Sequence, residues 1–281
     1  MKGAPGIRLR EGVDNVPDLV VSSGVRPDER GSVLKVTPES AGWEYVGFEV
    51  LRLADGRTVE RATGGEEVCL VVLSGFCTIS TPEEEWRGIG GRDSVFEGPP
   101  YAVYLPPGTD YRIEPVTYLE LAVCSAPAEE GVGARLIRPD DTEASVRGSG
   151  NMQRGITNIL MVDQPAERLL VVEVITPGGH WSSYPPHKHD REALPEESYL
   201  EETYYHRVQP DQGFALQRVY TEDRSLDETL TVGDGDTVLV PRGYHAVSAP
   251  PGYDLYYLNV MAGPVREWKV RNDPDHEWLL G

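Results

Sequence analysis

Glycine and proline break this chain into short segments along its whole length. The 30 glycines and 23 prolines are scattered, and between them lie runs rich in Val, Ile, Tyr and Thr that often alternate between apolar and polar residues. Such runs, bounded by turn-forming residues, are typical of strands in a sandwich or barrel. With no convincing amphipathic helix pattern, the sequence predicts an all-β fold with little helix. The predicted strands lie in 43–53, 68–80, 101–106, 117–124, 168–177, 203–208, 213–221, 228–241 and 253–263.

The pattern of the first half returns in the second. Residues 66–79 followed by 104–111 resemble, in order and pattern, residues 201–214 followed by 239–245. The echo is weak residue by residue, but a duplicated β domain is its simplest explanation.

A polar stretch separates the two series of strands. Residues 126–155 are rich in Gly, Pro and charged residues, a composition typical of a domain junction. A length of 281 residues also suits two domains. The sequence therefore predicts two tandem β-barrel (jelly-roll) domains, residues 1–140 and residues 141–281.

The net charge, the N-terminal residues and the cysteines limit the partners and the compartment that we expect for this protein. Lys and Arg number 26 against 46 Asp and Glu, so the net charge is −20 and we expect neither nucleic acid nor a membrane as partner. Residues 1–12 lack the apolar region of a signal peptide, and no run of about 18 apolar residues occurs, which predicts a cytoplasmic protein. Cys69, Cys77 and Cys124 are odd in number and lack metal-type spacing, so we expect buried thiols.

Residues 180–207 hold four of the six histidines. His187 and His189 form an H-x-H pair, and alternate residues of a strand share a face, so both imidazoles can approach one ion. Glu202 opens the next strand-like run, and His245 follows a Pro-x-Gly turn. Three imidazoles and a carboxylate suit Zn, Mn, Fe, Ni or Co, with one or two positions open for substrate or water. The alternative is that these histidines are surface or capping residues of a proline-rich loop.

Glu201 competes with Glu202 for the carboxylate role. Glu202 shares strand parity with Tyr204 and His206, which would form one polar inward face. Glu201 shares parity with Thr203 and Tyr205 instead, so Glu202 is preferred.

These residues resemble the cupin pattern, an H-x-H with a carboxylate and a later P-x-G followed by His. More specifically, WSSYPPHKHD, EETYYHR, DGDTVLVPRGYHAVSAPPGY, YYLNVMAGP and NDPDHEW are similar to the 5-deoxy-glucuronate isomerase family of inositol catabolism. The resemblance implies a bicupin that binds one divalent metal through the following residues of its second domain. They are His187, His189, Glu202 and His245.

Two features depart from the generic cupin pattern. The insertion DREALPEESYLE lengthens the spacing from His189 to Glu202, and the second motif is one residue short before His245. In the first half, Glu67 falls where the cupin carboxylate would be, but no H-x-H precedes it and Tyr111 stands where the second-motif histidine belongs. The resemblance therefore implies a first domain without this metal site, with a structural or dimer-forming role.

The family reaction converts 5-deoxy-glucuronate to 5-dehydro-2-deoxy-gluconate, an aldose–ketose isomerisation of a small uronate. It needs an acid and a base, for which His206 and Tyr204 are the chosen candidates. Arg218 is the candidate partner of the substrate carboxylate. Lys188 has the opposite parity to the two histidines beside it and is expected to point outward. Tyr184 and Tyr257 are the further substrate-binding candidates, and Trp268, Trp278 and His276 are assigned to structure.

Three other functions stay open from the sequence. One is a 5-keto-4-deoxyuronate isomerase, the sister family. Another is a metal-free cupin that binds a sugar acid without converting it. The last is an Fe(II) dioxygenase, which could use the same ligand set. A homo-oligomer is left open as well.

Overall fold

The structure is a computed structural model that describes residues 18–280. It is 52% strand and 6% helix, which confirms the predicted all-β class. The prediction drawn from residues 1–12 lies outside the described residues. No helix within residues 18–280 is long and apolar enough to cross a membrane. The helices are α1 Pro38–Ala41 and three 3₁₀ segments, η1 Pro139–Asp141, η2 Gly150–Met152 and η3 Pro274–Leu280.

The first half of the chain forms two sheets that pack face to face. The six-stranded sheet has the order β11-β8-β5-β10-β3-β2, and the four-stranded sheet has the order β4-β9-β6-β7. Leu51 and Leu70 of the first sheet and Ile79 and Ile113 of the second are buried in one core between them. The strands are β2 Ser32–Val36, β3 Gly47–Leu53, β4 Val59–Ala62, β5 Glu66–Ser74, β6 Phe76–Ser80, β7 Glu85–Gly90, β8 Ala102–Leu105, β9 Asp110–Pro115, β10 Leu119–Pro127 and β11 Arg135–Ile137.

The second half repeats this arrangement. A seven-stranded sheet, β1-β21-β18-β23-β14-β13-β12, faces a five-stranded sheet, β20-β19-β22-β15-β24, and β16 and β17 form a separate hairpin. Leu170 and Tyr204 meet Val219 and Val247 in the core between the two large sheets. The strands are β1 Val20–Ser22, β12 Glu143–Arg147, β13 Arg154–Leu160, β14 Leu170–Thr176, β15 Trp181–Lys188, β16 Asp190–Ala193, β17 Glu197–Tyr199, β18 Glu201–Gln209, β19 Ala215–Tyr220, β20 Asp227–Val232, β21 Asp236–Val240, β22 Tyr244–Ser248, β23 Asp254–Ala262 and β24 Arg271–Asn272.

The two halves share one strand order. β8-β5-β10-β3-β2 in the first large sheet corresponds to β21-β18-β23-β14-β13 in the second. In the smaller sheets, β4-β9-β6-β7 corresponds to β15-β22-β19-β20. The weak sequence echo therefore has a counterpart in topology.

A third core joins the halves, because the two large sheets pack back to back. Val71 and Cys124 of the first half lie in it with Tyr205 and Leu258 of the second. A strand such as β5 is therefore buried on both faces, which explains its nearly continuous apolar sequence. All three cysteines are buried free thiols, as expected.

One strand crosses the predicted division of the chain. β1, near the start of the described residues, pairs with β21 in the sheet of the second half. None of the sheets formed by residues 18–280 is closed into a barrel. The division at residue 140 stays a prediction, and the predicted junction 126–155 contains β11 and the β12 strand of a hairpin.

Candidate metal centre

Three histidines converge on one point of the second half. His187 lies in β15, His189 follows that strand directly, and His245 lies opposite His187 in the neighbouring strand β22. Because His187 and His189 are two residues apart, extended backbone turns both to one side. One nitrogen of each ring lies within 4.8 Å of those of the other two. This group of three could hold a metal ion.

Strand β18 adds a carboxylate to the three imidazoles. Oε2 of Glu202 lies 3.0 Å from Nε2 of His189 and 3.2 Å from Nε2 of His245. Burial alone would raise the pKa of the Glu202 carboxyl, but His245 and His189 beside it hold that pKa well below its ordinary value. The Glu202 carboxylate is therefore held as an anion beside Nε2 of His189 and Nε2 of His245.

Backbone carbonyls orient two of the rings. Nδ1 of His189 lies 2.9 Å from the Leu200 carbonyl oxygen, and Nδ1 of His245 lies 3.2 Å from that of Gly243. Each contact leaves Nε2 directed at the centre of the group. Nε2 of His245 is buried, and although Glu202 Oε2 lies 3.2 Å away, it makes no hydrogen bond of acceptable geometry within residues 18–280. An orphaned buried nitrogen, within a set of three nitrogens and one oxygen, fits a divalent metal ion.

The turn before His245 requires glycine. Gly243 has a φ of 92°, and a Cβ at this position would lie 2.5 Å from the carbonyl oxygen of Tyr220. Only glycine avoids both the strain and the collision. The Pro-x-Gly turn therefore sets the position from which His245 enters the centre.

Lys188 does not point outward as predicted. Its side chain is 1% exposed, and its Nζ donates to Asp190 Oδ1 at 2.7 Å and to Glu197 Oε1 at 2.8 Å. Parity does place it on the side opposite the histidines, but the β16–β17 hairpin, formed by the insertion after His189, covers that side. Oδ2 of Asp190 accepts the Gly243 N–H at 2.8 Å, so this ion cluster connects the two segments that carry the histidines.

Glu201 faces away from the histidines. Its carboxylate accepts the backbone N–H groups of Glu44 and Tyr45 at 2.7 Å and of Val46 at 3.0 Å, all from the first half. The structure thus brings Glu202, and not Glu201, to the three imidazoles.

The corresponding place in the first half has different chemistry. Arg61 of β4 lies opposite Tyr111 of β9, as His187 lies opposite His245. Arg61 donates to both carboxylate oxygens of Glu49, at 2.7 and 2.9 Å. Within residues 18–280, the three histidines are the only group of three or more metal-type ligands.

The two catalytic candidates occupy different surroundings. Tyr204 lines a cavity together with His187 and Glu202, and its hydroxyl lies 2.9 Å from Ser183 Oγ. His206 is fully buried, shares a 2.8 Å hydrogen bond with Gln217, and does not line this cavity. Burial lowers the pKa of His206 to about 4, although the hydrogen bond acts in the opposite direction.

Of the other predicted substrate-binding residues, the two tyrosines line cavities near the metal centre and the arginine does not. Tyr257 lines the cavity beside Tyr204, and Tyr184 lines an adjoining space of about 360 Å³ that His187 borders. Arg218 is not brought to either space. It donates to both carboxylate oxygens of Asp227 at 2.8 Å and lies 4.3 Å from the Tyr220 ring centroid. Side chains alternate between the two faces of β19. The residues next to Arg218 in sequence are buried on the inner face, so Arg218 points outward.

Sequence reasoning missed the arginines that do line both spaces. Arg147 ends β12, Arg154 begins β13, and both border the cavity with Trp268. They lie in the polar segment interpreted as a domain junction. The sequence RGSGNMQR, with a glycine-rich turn between two arginines, was the signal for a hairpin here.

Comparison with known proteins assigns the family. The sequence model of the KduI/IolB family matches residues 19–279. The chain belongs to this family. This confirms the resemblance that the motifs indicate. The family match covers nearly the whole chain.

Two relatives within the family carry the same name. A 5-deoxy-glucuronate isomerase of Geobacillus thermodenitrificans is 60% identical over 261 residues, which is 92% of this chain and 95% of the relative. A 5-deoxy-glucuronate isomerase of Bacillus subtilis strain 168 is 48% identical over 262 residues, with the same shares covered.

Two solved structures resemble this chain, one an IolB-like protein and the other a more distant protein. An IolB-like protein of Salmonella typhimurium LT2 superposes with a TM-score of 0.91 at 46% identity, over 94% of this chain and 100% of that one. An oxalate decarboxylase of Lactobacillus farciminis has a TM-score of 0.67 at 13% identity, over 92% and 90%. The second likeness shows the cupin-like fold alone.

Proposed function

We propose that this protein is a metal-dependent aldose–ketose isomerase that converts 5-deoxy-glucuronate to 5-dehydro-2-deoxy-gluconate. The observation that carries the proposal is the group of three imidazoles and one carboxylate at the wall of a cavity. The names of relatives up to 60% identical supply the reaction. The chemistry needs no redox cofactor, because the aldehyde acid and the ketone are isomers.

The proposed metal ligands are His187, His189, Glu202 and His245. The set suits Zn, Mn, Fe, Ni or Co. A divalent metal bound there would polarise the carbonyl and neighbouring hydroxyl oxygens of the substrate and stabilise the negative charge that develops on them.

The net reaction moves a proton from the carbon beside the aldehyde to the aldehyde carbon, and the carbonyl oxygen needs a hydrogen-bond donor while negative charge develops on it. Burial, together with the charge of Glu202, raises the pKa of Tyr204 well above its ordinary value, so Tyr204 Oη stays protonated and can donate to a substrate oxygen. We assign this donor role to Tyr204. His206 lies behind the Tyr204 ring, 6.0 Å away between centroids, and supports its position.

We also propose that each half is a cupin domain, so that the chain is a bicupin divided near residue 140. The common strand order of the halves supports this. In the first half, the Arg61–Glu49 ion pair takes the place of the metal ligands, which supports a structural role for that half.

The test is to incubate the metal-loaded protein with 5-deoxy-glucuronate and to follow the aldehyde proton by NMR. We expect that signal to disappear as the ketone forms, and metal-depleted protein to be inactive. In heavy water, proton transfer should place deuterium in the product, whereas a hydride shift would leave little. An unchanged aldehyde signal with metal bound would contradict the proposal.

Parallel measurements separate the other functions. A preference for 5-keto-4-deoxyuronate over 5-deoxy-glucuronate would assign the sister reaction that the family includes. Stoichiometric oxygen uptake would indicate a dioxygenase. Binding of the sugar acid without metal and without turnover would indicate a binding protein.

A further inference from the structure

Two arginines face each other directly across the β12–β13 hairpin. Arg147 and Arg154 are partners in the strand register, and the backbone between them turns through η2. Like charges at directly opposed positions of an antiparallel pair destabilise it. The hairpin therefore carries a repulsion that an anion would relieve.

Neither guanidinium has an ion-pair partner within residues 18–280, although acidic residues outnumber basic ones in the chain by 46 to 26. Arg154 is half-buried, and its Nη1 donates to the backbone carbonyl of Met152 at 3.1 Å. The buried Arg92, by contrast, is paired, because it donates to both oxygens of Glu173.

Both arginines line the space of about 360 Å³ that His187 of the candidate metal centre borders. Arg147, Arg154 and His187 line the same cavity, and the Arg147 guanidinium lies 5.8 Å from the ring centroid of Trp268. The aromatic face limits where Arg147 can move. Two cations and two of the candidate ligands, His187 and Glu202, therefore line one cavity in an otherwise acidic protein.

We propose that Arg147 and Arg154 form an anion site that binds the carboxylate of the sugar-acid substrate while its aldehyde end lies at the histidines. This inference rests on the proposed isomerase function. Planar guanidinium groups bind carboxylates through paired hydrogen bonds, so the site selects acids over neutral aldoses. It replaces Arg218 as the local cation that a substrate anion needs in a protein of charge −20.

The first experiment measures kcat/KM for 5-deoxy-glucuronate and for 5-deoxy-glucose, in which a hydroxymethyl group replaces the carboxylate. Loss of a charge-assisted hydrogen bond should lower kcat/KM for the acid by about 10- to 100-fold in Arg154→Met and Arg147→Met. The value for 5-deoxy-glucose should change little. Arg154→Lys should restore part of the loss, because it keeps the charge without the planar fork.

The matched control is Arg112→Met, an exposed arginine of β9 in the first half that is paired with Glu114. It should retain wild-type kinetics. Stability provides a further readout, since removal of one of two opposed cations should leave the unfolding temperature of Arg154→Met unchanged or higher. A lower unfolding temperature together with an equal loss of kcat/KM for both sugars would show a structural role and overturn the inference.

Binding of D-gluconate, measured by calorimetry on the metal-loaded protein, separates this inference from the proposed function. If the wild type does not isomerise 5-deoxy-glucuronate but binds gluconate through Arg147 and Arg154, the anion site stands and the proposed function fails. If the wild type isomerises the substrate and the double variant keeps its KM and its gluconate affinity, the function stands and the anion site is wrong.

Discussion

Glu67 and Glu201 fasten the two halves of the protein to each other reciprocally. Each lies at the start of a central strand, and each accepts three consecutive backbone N–H groups from the opposite half. Glu67 accepts those of residues 167–169 at 2.6–2.8 Å, and Glu201 accepts those of residues 44–46 at 2.7–3.0 Å. Glu67 is thus the counterpart of Glu201, and the sequence echo that matched it to Glu202 is displaced by one residue.

We expect Glu201→Ala to lower the stability of the protein without removing its metal. The substitution leaves three N–H groups without their acceptor, of which that of Val46 is buried, and a buried unsatisfied group costs about 1–3 kcal/mol. The expected loss in the free energy of unfolding is therefore about 1–3 kcal/mol. Denaturant unfolding checks the loss and elemental analysis checks the metal. Metal loss from the folded variant would place Glu201 in the metal site.

Glu202→Gln, unlike Glu201→Ala, should lower the metal content of the protein. It removes the anion from the three imidazoles but keeps the size of the side chain, so metal affinity should fall by more than the roughly 10- to 100-fold typical of partners outside the ligand set. His187→Ala and His245→Ala should also lose most of their metal. Elemental analysis after dialysis measures occupancy, with Glu201→Gln as the neighbouring control. Full occupancy in all three ligand variants would refute the proposed ligand set.

Lys188→Met should strongly destabilise the protein. The methionine fills a similar volume but leaves Asp190 and Glu197 close together without their cation. Removal of one partner from a buried ion cluster costs about 3–5 kcal/mol. The free energy of unfolding of the metal-depleted protein measures this cost separately from any change at the metal. A change within about 0.5 kcal/mol of wild type, as for most surface substitutions, would contradict the buried role.

Arg218→Lys should leave the KM for 5-deoxy-glucuronate unchanged. Its guanidinium is paired with Asp227 on the outer face of β19, so the substitution affects only a partly exposed ion pair worth about 1 kcal/mol or less. Steady-state kinetics beside Arg154→Lys provides the comparison. A KM increase in Arg218→Lys that equals the increase in Arg154→Lys would return Arg218 to the substrate site.

Strand parity explains which site residues could be predicted from the sequence. Because side chains alternate along a strand, the pattern of β18 was enough to place Glu202 and Tyr204 on one face and Glu201 and Tyr205 on the other. The H-x-H pair and the Pro-x-Gly turn are equally local, and the structure brings their histidines together.

Parity could not show what covers each face. Lys188 is on the predicted side of β15, but a hairpin formed by the insertion buries it there. Arg218 has the charge that a substrate carboxylate needs, yet its strand turns it outward. Arg147 and Arg154 reach the cavity through packing of the β12–β13 hairpin against residues distant in sequence, which local composition does not encode.

The neutral state of His206 should make stability depend on pH between about 4 and 6.5. Burial lowers the folded-state pKa to about 4 from a reference value of 6.5, so below pH 6.5 the unfolded chain binds a proton that the folded protein does not. The contribution of His206 is therefore complete above pH 6.5 and is lost as the pH falls through this window. From pH 7 to pH 5 the loss is about 2 kcal/mol.

His206→Gln tests this pH dependence, because glutamine can still hydrogen-bond to Gln217 but does not titrate. The free energy of unfolding, measured in denaturant at pH 7 and pH 5, should fall less in the variant than in the wild type, by about 2 kcal/mol. Titration of the metal ligands contributes to both proteins and cancels in this difference. Equal pH dependence in the two proteins would show that His206 keeps an ordinary pKa in the folded state.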